Sequence, residues 1–222
     1  MALDHDYWNK RWQDGETGWH QAQVSPSLLA HWQVLGLGGK GRVLVPFCGK
    51  SLDMAWLAAQ GHEVLGVEFA RLPIEQFFAE QQLTPAISRE ADGVHYRAGR
   101  VEIIEADIFA VSKTALAACQ GVYDRGALIA QTAEQRARYL HEVYAHLPTG
   151  CRGLLLTVDY EQTQMDGPPF AVCAVELETR LGDWQIERLQ RADILAESPR
   201  FVAQGVTQLH AEAWLLTHLG SL

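Results

Sequence analysis

Glu68 and Gly49 are the first residues in this chain whose types and spacing suggest chemistry. Glu68 directly follows the apolar Val67, nineteen residues beyond Gly49. A carboxylate in that place can accept two hydrogen bonds from a ribose diol. Glycine at position 49 permits a sharp turn, so that backbone amides at the next helix start face a ligand. Arg125, after Val122-Tyr123-Asp124, offers a cation at a strand end. It either steadies an anion there or forms an ordinary ion pair with Asp124 or another carboxylate. The elements that must position the first two residues lie in Arg42–Phe69, RVLVPFCGKSLDMAWLAAQGHEVLGVEF. This reads as a buried strand, a glycine turn, an amphipathic helix, a second buried strand and an acid. Val43-Leu44-Val45 is wholly apolar, as a strand covered on both faces requires. The order builds a nucleotide-type site at the carboxyl edge of a parallel sheet.

The turn residues narrow the ligand. A phosphate-binding P-loop needs a glycine where Leu44 stands. A dinucleotide fingerprint needs three glycines, and Pro46-Phe47-Cys48-Gly49-Lys50-Ser51 has one, crowded by Pro and Phe. A nucleoside cofactor without phosphates tolerates such a turn, and S-adenosylmethionine (SAM) is the obvious one. By itself the segment equally fits a generic α/β nucleotide-binding unit.

At 222 residues the chain fits one sizeable domain. Its net charge of −9, with no basic run, argues against nucleic acid or an anionic membrane as the main partner. Cys48, Cys119, Cys151 and Cys173 are widely spaced and contain no C-x-x-C pair, so they read as buried, reduced thiols. The opening MALDHDYWNKRW lacks an apolar signal core, and no run reaches membrane-spanning length. The expectation is a cytoplasmic protein. The nine histidines form no H-E-x-x-H, and His141 and His146 are five apart, wrong for one helical face, so no metal site is expected. Cys48 lacks an indicated partner histidine, and apolar neighbours would raise its pKa.

Helices are expected over Asp4–Trp12 and over Ser25–Leu35, the second opened by a Ser cap and an N1 proline. After Glu68, helices are expected over Leu72–Gln82, Ala133–Leu147 and Phe170–Leu181, and strands over Val101–Ala106, Gly121–Asp124 and Gly153–Val158. Val94–Gly99 reads weakly, as a loop. Trp184–Gln190 and Gln208–Thr217 lack a long helix between them, so an antiparallel edge pair is expected. The whole describes an α/β, Rossmann-like class I methyltransferase fold: a seven-stranded, mostly parallel sheet with helices on both faces. Residues 1–40 would be an N-terminal helical lid segment, and residues 41–222 the α/β core of the same single domain.

Six motifs in order carry a resemblance over nearly the whole chain. They are W-x-x-R-W at Trp8–Trp12, G-W-H-Q at Gly18–Gln21, V-P-F-C-G-K-S-L-D-M at Val45–Met54, G-H-E-V-L-G-V-E at Gly61–Glu68, Y-D-R-G-A-L at Tyr123–Leu128 and G-P-P-F at Gly167–Phe170. The chain resembles the thiopurine S-methyltransferases in their bacterial form. Two departures are Phe47, where the family more often has Leu, and Trp19, where vertebrate members have Phe. The resemblance implies a monomeric cytoplasmic enzyme that takes SAM, releases S-adenosylhomocysteine (SAH) and methylates aromatic and heterocyclic thiols. It implies that Trp12, Phe47, Glu68, Asp107, Ile108 and Arg125 contact the cofactor, and that the segment around Trp12 folds over the site. Trp19 and Arg200 would face the substrate, although a lone arginine in such a loop is usually only solvated. Asp107 reads equally well as a helix cap. Arg125 is the residue expected to act on the thiolate, with no obligatory general base. Two alternatives remain: methylation of selenium or tellurium species or a halide, and a non-catalytic SAM-binding sensor, which would need neither Arg125 nor the G-P-P-F loop.

Overall fold

The computed structural model describes residues 5–220. Its centre is one nine-stranded sheet. Five strands run parallel: β1 (Arg42–Pro46), β2 (Glu63–Glu68), β5 (Val101–Glu105), β6 (Cys119–Arg125) and β7 (Arg152–Asp159). The closing strands β8 (Trp184–Asp193) and β9 (His210–His218) are antiparallel, with β9 between β7 and β8. The edge pair is therefore as expected. The strand count is not, because β3 (Ala86–Glu90) and β4 (Gly93–Ala98) form an antiparallel hairpin on β5.

That hairpin replaces the loop expected at Val94–Gly99, and its chemistry explains why it was hidden. Val94 and Tyr96 alternate with His95 and Arg97, so only every second residue is apolar. Tyr96 is buried and stacks on Phe78, with ring centroids 6.3 Å apart, while Arg97 faces Glu90 and Glu102. The polar residues that alternate with its apolar ones mask such a strand, even though His95 is buried as well as Tyr96.

The helices cover both faces. They are α1 (His5–Asp14), α2 (Pro26–His31), α3 (Leu52–Ala59), α4 (Arg71–Glu80), α5 (Lys113–Ala117), α6 (Ala133–Glu142), α7 (Ala174–Arg180) and α8 (Pro199–Ala203). Asp4, expected to begin the first helix, lies outside the described residues. Ser25 caps α2 by accepting the Leu28 N–H, with Pro26 at its first turn, and the helix tightens into a 3-10 turn over Trp32–Leu35. Two other expected helices are shorter than their sequence patterns. The helix expected from Phe170 begins only at Ala174, because the Phe170 N–H donates to Ile129 O and the Val172 N–H to Val158 O, outside any helix. The helix from Ala133 ends at Glu142 and resumes as a 3-10 turn over Tyr144–His146. Cys48, Cys119 and Cys151 are buried thiols, but Cys173 is exposed, at the cap position of α7.

Two apolar layers sandwich the sheet, one built around Leu44, Leu65, Ile104 and Leu155, the other around Val43, Val64, Ile103 and Leu154. These are successive residues of the same strands, pointing to opposite faces. The parallel pairing aligns the strand ends, Pro46 with Val67 and Glu68 with Glu105. Strand order reverses between β1 and β6, which opens a crevice at their carboxyl ends.

Candidate active site

The turn after β1 is built from two left-handed residues, Phe47 at φ 47° and Gly49 at φ 51°. That conformation is uncommon for a bulky residue and costs on the order of 1–3 kcal/mol, so the surroundings must hold it. They do so from neighbouring elements: the Cys48 N–H donates to Val67 O at 3.0 Å, and the Phe47 ring packs against Tyr139 of α6 at 6.0 Å. Ser51 then caps α3 by accepting the Asp53 N–H. Lys50 is committed to Glu80 of α4, 2.6 Å away, and so is not a phosphate ligand.

Glu68 ends β2 beside this turn and is 4% exposed. Its carboxylate accepts the Gly49 N–H at 3.0 Å and the Ala70 N–H at 2.9 Å. Burial nevertheless pushes its pKa up to about 7, against the pull of these backbone donors. Cys48 lies alongside; burial, then the charge of Glu68, raises its thiol well above the usual range, which disqualifies it as a nucleophile.

Trp12, on α1, covers the turn. A Cβ on Gly49 would lie 2.9 Å from its indole ring, so both the backbone angle and the contact require glycine. Gly49→Ala is expected to destabilise the protein by about 1–3 kcal/mol; an unchanged midpoint in thermal unfolding would contradict this packing. Trp19 meets Trp12 edge-to-face at 5.6 Å, carries Arg11 over its ring at 5.3 Å and is 37% exposed. A cavity of about 610 Å³ opens between α1 and α4, lined by Asn9, Trp12, Gln13, Arg71 and Glu75 among others.

Asp107 follows β5 and does act as a cap, accepting the Phe109 N–H at 3.0 Å for the short 3-10 turn at Ile108–Ala110. Its other oxygen lies 3.4 Å from His5 Nε2, and His5 stacks on Phe69 at 4.2 Å. The start of α1 thus spans the ends of β2 and β5. Ile108 is buried.

At β6 the motif Tyr123-Asp124-Arg125 divides by strand alternation. Asp124 points to one face, accepting the hydroxyls of Tyr139 and Tyr144 and the N–H groups of Ala127 and Leu128, with its pKa raised to about 6 by burial. Tyr123 and Arg125 point to the other, and both donate to Asp53 of α3 at 2.9 Å. Arg125 is therefore paired, with Asp53 rather than Asp124, and it also donates to the Ser51 hydroxyl at 3.1 Å. Arg200 stands apart: it is exposed on α8 and donates to the carbonyl of Pro168 in the G-P-P-F loop at 3.1 Å.

The structure thus gathers Trp12, Trp19, Phe47 and Glu68 around Gly49, sets Asp107 and Ile108 at the next strand end, and holds Arg125 on Ser51 and Asp53, at the start of α3 after the same turn. It does not bring Arg200 to them directly. Three neighbours escaped the sequence reading. Asp53 was visible only as one acid in the apolar run LDMAWLAA. Ser51 was visible as a helix cap. His20, in the G-W-H-Q motif, has its pKa lowered by burial, then by Lys50 and Arg125. Glu90, Asp92 and His95 also converge at the β3–β4 hairpin, where no sequence spacing signals a metal; Arg97 pairs with Glu90, and His95 bridges Asp92 and Glu102.

The donor set suits a nucleoside lacking phosphates. The carboxylates of Glu68 and Asp107 can accept hydroxyl or amine donors beside the buried, apolar Ile108, whereas a phosphate would meet the carboxylate of Glu68. Comparison with known proteins agrees. The sequence profile described as thiopurine S-methyltransferase matches residues 3–219. A thiopurine S-methyltransferase of Xanthomonas campestris pv. campestris (strain 8004) is 50% identical over 215 residues, covering 96% of this chain and 99% of that protein. One from Bordetella pertussis is 48% identical over 219 residues, covering 98% and 100%. Among solved structures, the 1,6-didemethyltoxoflavin-N1-methyltransferase of Burkholderia thailandensis, with bound 1,6-didemethyltoxoflavin and SAH, superposes with a TM-score of 0.65 at 19% identity, over 98% of this chain and 91% of that one. That likeness establishes the class I fold, and the near full-length identity settles the rest: the chain belongs to the thiopurine S-methyltransferase family of SAM-dependent methyltransferases.

Proposed function

We propose that the protein methylates the sulfur of thiopurines and of other aromatic or heterocyclic thiols, with Arg125 on the acceptor side and Glu68 on the cofactor side. The observation that carries the reading is the guanidinium of Arg125, held on one edge by Asp53 and Ser51 at the strand end that faces the Glu68 turn. Bound SAM supplies an electrophilic methyl on a sulfonium. The acceptor thiolate forms the new S–CH3 bond as the sulfonium C–S bond breaks, leaving a thioether and SAH. Positive and negative charge vanish together, so a closed, dry site favours the reaction. Arg125 biases the acceptor toward its anion by charge and hydrogen bonding, which removes the need for a strong general base. Glu68 holds the ribose diol, Asp107 and Ile108 the adenine, and Phe47 and Trp12 the body of the cofactor. The segment of residues 1–40 acts as a lid, with Trp12 of α1 and Trp19 of the following turn excluding water. Arg200 contributes by fixing the G-P-P-F loop near the acceptor. The enzyme acts as a cytoplasmic monomer, which gel filtration and fractionation check.

Incubation with SAM and 6-mercaptopurine tests the reading. The expected result is loss of the thiol with matching appearance of SAH. SAM binding without turnover would make the protein a sensor, and turnover confined to selenium or tellurium species would replace the acceptor class.

The raised pKa of Glu68 adds a pH signature. Its ionised form is the acceptor for the diol, so SAH affinity should rise with pH. Below about pH 7 affinity should fall roughly tenfold per unit and above it level off. Calorimetry on the wild type and on Glu68→Gln checks this; the variant should bind weakly at every pH without that slope. A wild type with pH-independent affinity between 5.5 and 8 would contradict the assignment.

A further inference from the structure

Asp53 lies in the first turn of α3 and has no exposed surface. Donors from three separate places converge on its carboxylate. The Ser25 backbone N–H, at the head of α2, reaches Oδ1 at 2.8 Å; the Tyr123 hydroxyl and Arg125 Nε reach Oδ2 at 2.9 Å each. A carboxylate so deeply buried persists only where hydrogen bonds and a cation offset its desolvation. Arg125 Nη2 is held in turn by the Ser51 hydroxyl. One edge of the planar guanidinium is thereby fixed, which also fixes the direction of the other. No hydrogen-bond partner for Nη1 is found among the described residues, and the side chain is 22% exposed.

We propose that Asp53 is a positioning residue for methyl transfer: it sets the orientation in which Arg125 presents its free Nη1 edge to the cleft. Through Ser25, the same carboxylate ties that orientation to the segment joining α1 to α2. The pair is close to neutral, so Arg125 acts through directed N–H groups more than through long-range charge. An aspartate two residues after the cap of α3 thus links the cofactor turn, the acceptor cation and the covering segment. The inference rests on the proposed role of Arg125.

The test is a double-mutant cycle on the full chain with two readouts: kcat and KM for 6-mercaptopurine with SAM, and SAH affinity by calorimetry without turnover. Asp53→Asn keeps an oxygen for Ser25 but turns an amide NH2 toward Arg125. It is expected to lower kcat/KM about 30-fold, the scale of one charge-assisted hydrogen bond, and to weaken SAH binding by a smaller factor. In an Arg125→Ala background the same change should alter either readout by less than about twofold, because its effect runs through the missing arginine. An unimpaired Arg125→Ala would remove Arg125 from the reaction and Asp53 with it. An impaired Arg125→Ala beside a silent Asp53→Asn, or one whose effect multiplies fully in the double mutant, would overturn the role of Asp53 alone. Should Asp53→Asn not fold, Arg125→Lys carries the test. A lysine can pair with Asp53 but has no second edge, so it should be as impaired as alanine, and wild-type kinetics would overturn the proposal.

Discussion

Replacing Glu68 with alanine is expected to weaken SAH binding by at least about a hundredfold, while leaving the fold intact. Two hydrogen bonds from a ribose diol to a charged acceptor are worth about 1.5–3 kcal/mol each, and among the described residues no other carboxylate hydrogen-bonds the Gly49 amide. Two effects on stability oppose one another. Removal strands the N–H groups of Gly49 and Ala70, which the carboxylate now satisfies, at about 1–3 kcal/mol apiece if they stay dry. It also relieves a burial penalty. Because the folded pKa is about 7 and the ordinary value 4.5, the folded state binds the proton more tightly. The carboxyl group therefore lowers stability progressively as pH rises from about 4.5 to 7, and by its full amount above that. The variant should accordingly lose less stability at pH 8 than at pH 5. Calorimetry with SAH and thermal unfolding at both pH values check the two parts, and SAH affinity within threefold of wild type would contradict the role of Glu68.

Arg125→Ala carries the second large effect. Loss of the guanidinium removes directed charge from the acceptor and leaves the buried Asp53 with Tyr123 and Ser25 as its donors among the described residues. An activity loss of about 10²–10³ in kcat/KM is expected, the range for one preorganised donor acting on a developing or transferred charge. The acid limb of the pH–rate profile should also move upward by about one unit, since the acceptor thiol no longer has a cation favouring its anion. A purely structural arginine would lower stability without moving that limb. Steady-state kinetics from pH 6 to 9 separate the two, and an unchanged profile at unchanged kcat/KM would remove Arg125 from the chemistry.

The cofactor side was legible because its signals are local. Three consecutive apolar residues, one glycine and a terminal acid suffice to order strand, turn, helix and strand, and the structure sets Val43–Val45 inside β1 and ends β2 at Glu68. Physical reading failed where the deciding contact is distant. Asp53 meets partners at Ser25, Tyr123 and Arg125, separations that no spacing rule covers. The β3–β4 hairpin was masked because polar and charged residues interrupt its apolar ones, with Arg97 answering Ser88 and Glu90 across the strands. Asp107 serves both as a cap and as a partner of His5, and the second contact, across about a hundred residues of chain, has no local signal in the sequence. The strained turn at Phe47 was invisible for another reason: nothing about a phenylalanine announces a left-handed backbone, and only the surrounding packing imposes it.

The most direct test of the account is a single-turnover reaction of the SAM-loaded protein with excess 6-mercaptopurine, following S-methylated purine and SAH together. The account predicts the two products in equal amounts, with a rate that falls about 10²–10³-fold in Arg125→Ala. SAM bound by the wild type through Glu68, with no methylated sulfur formed, would contradict it.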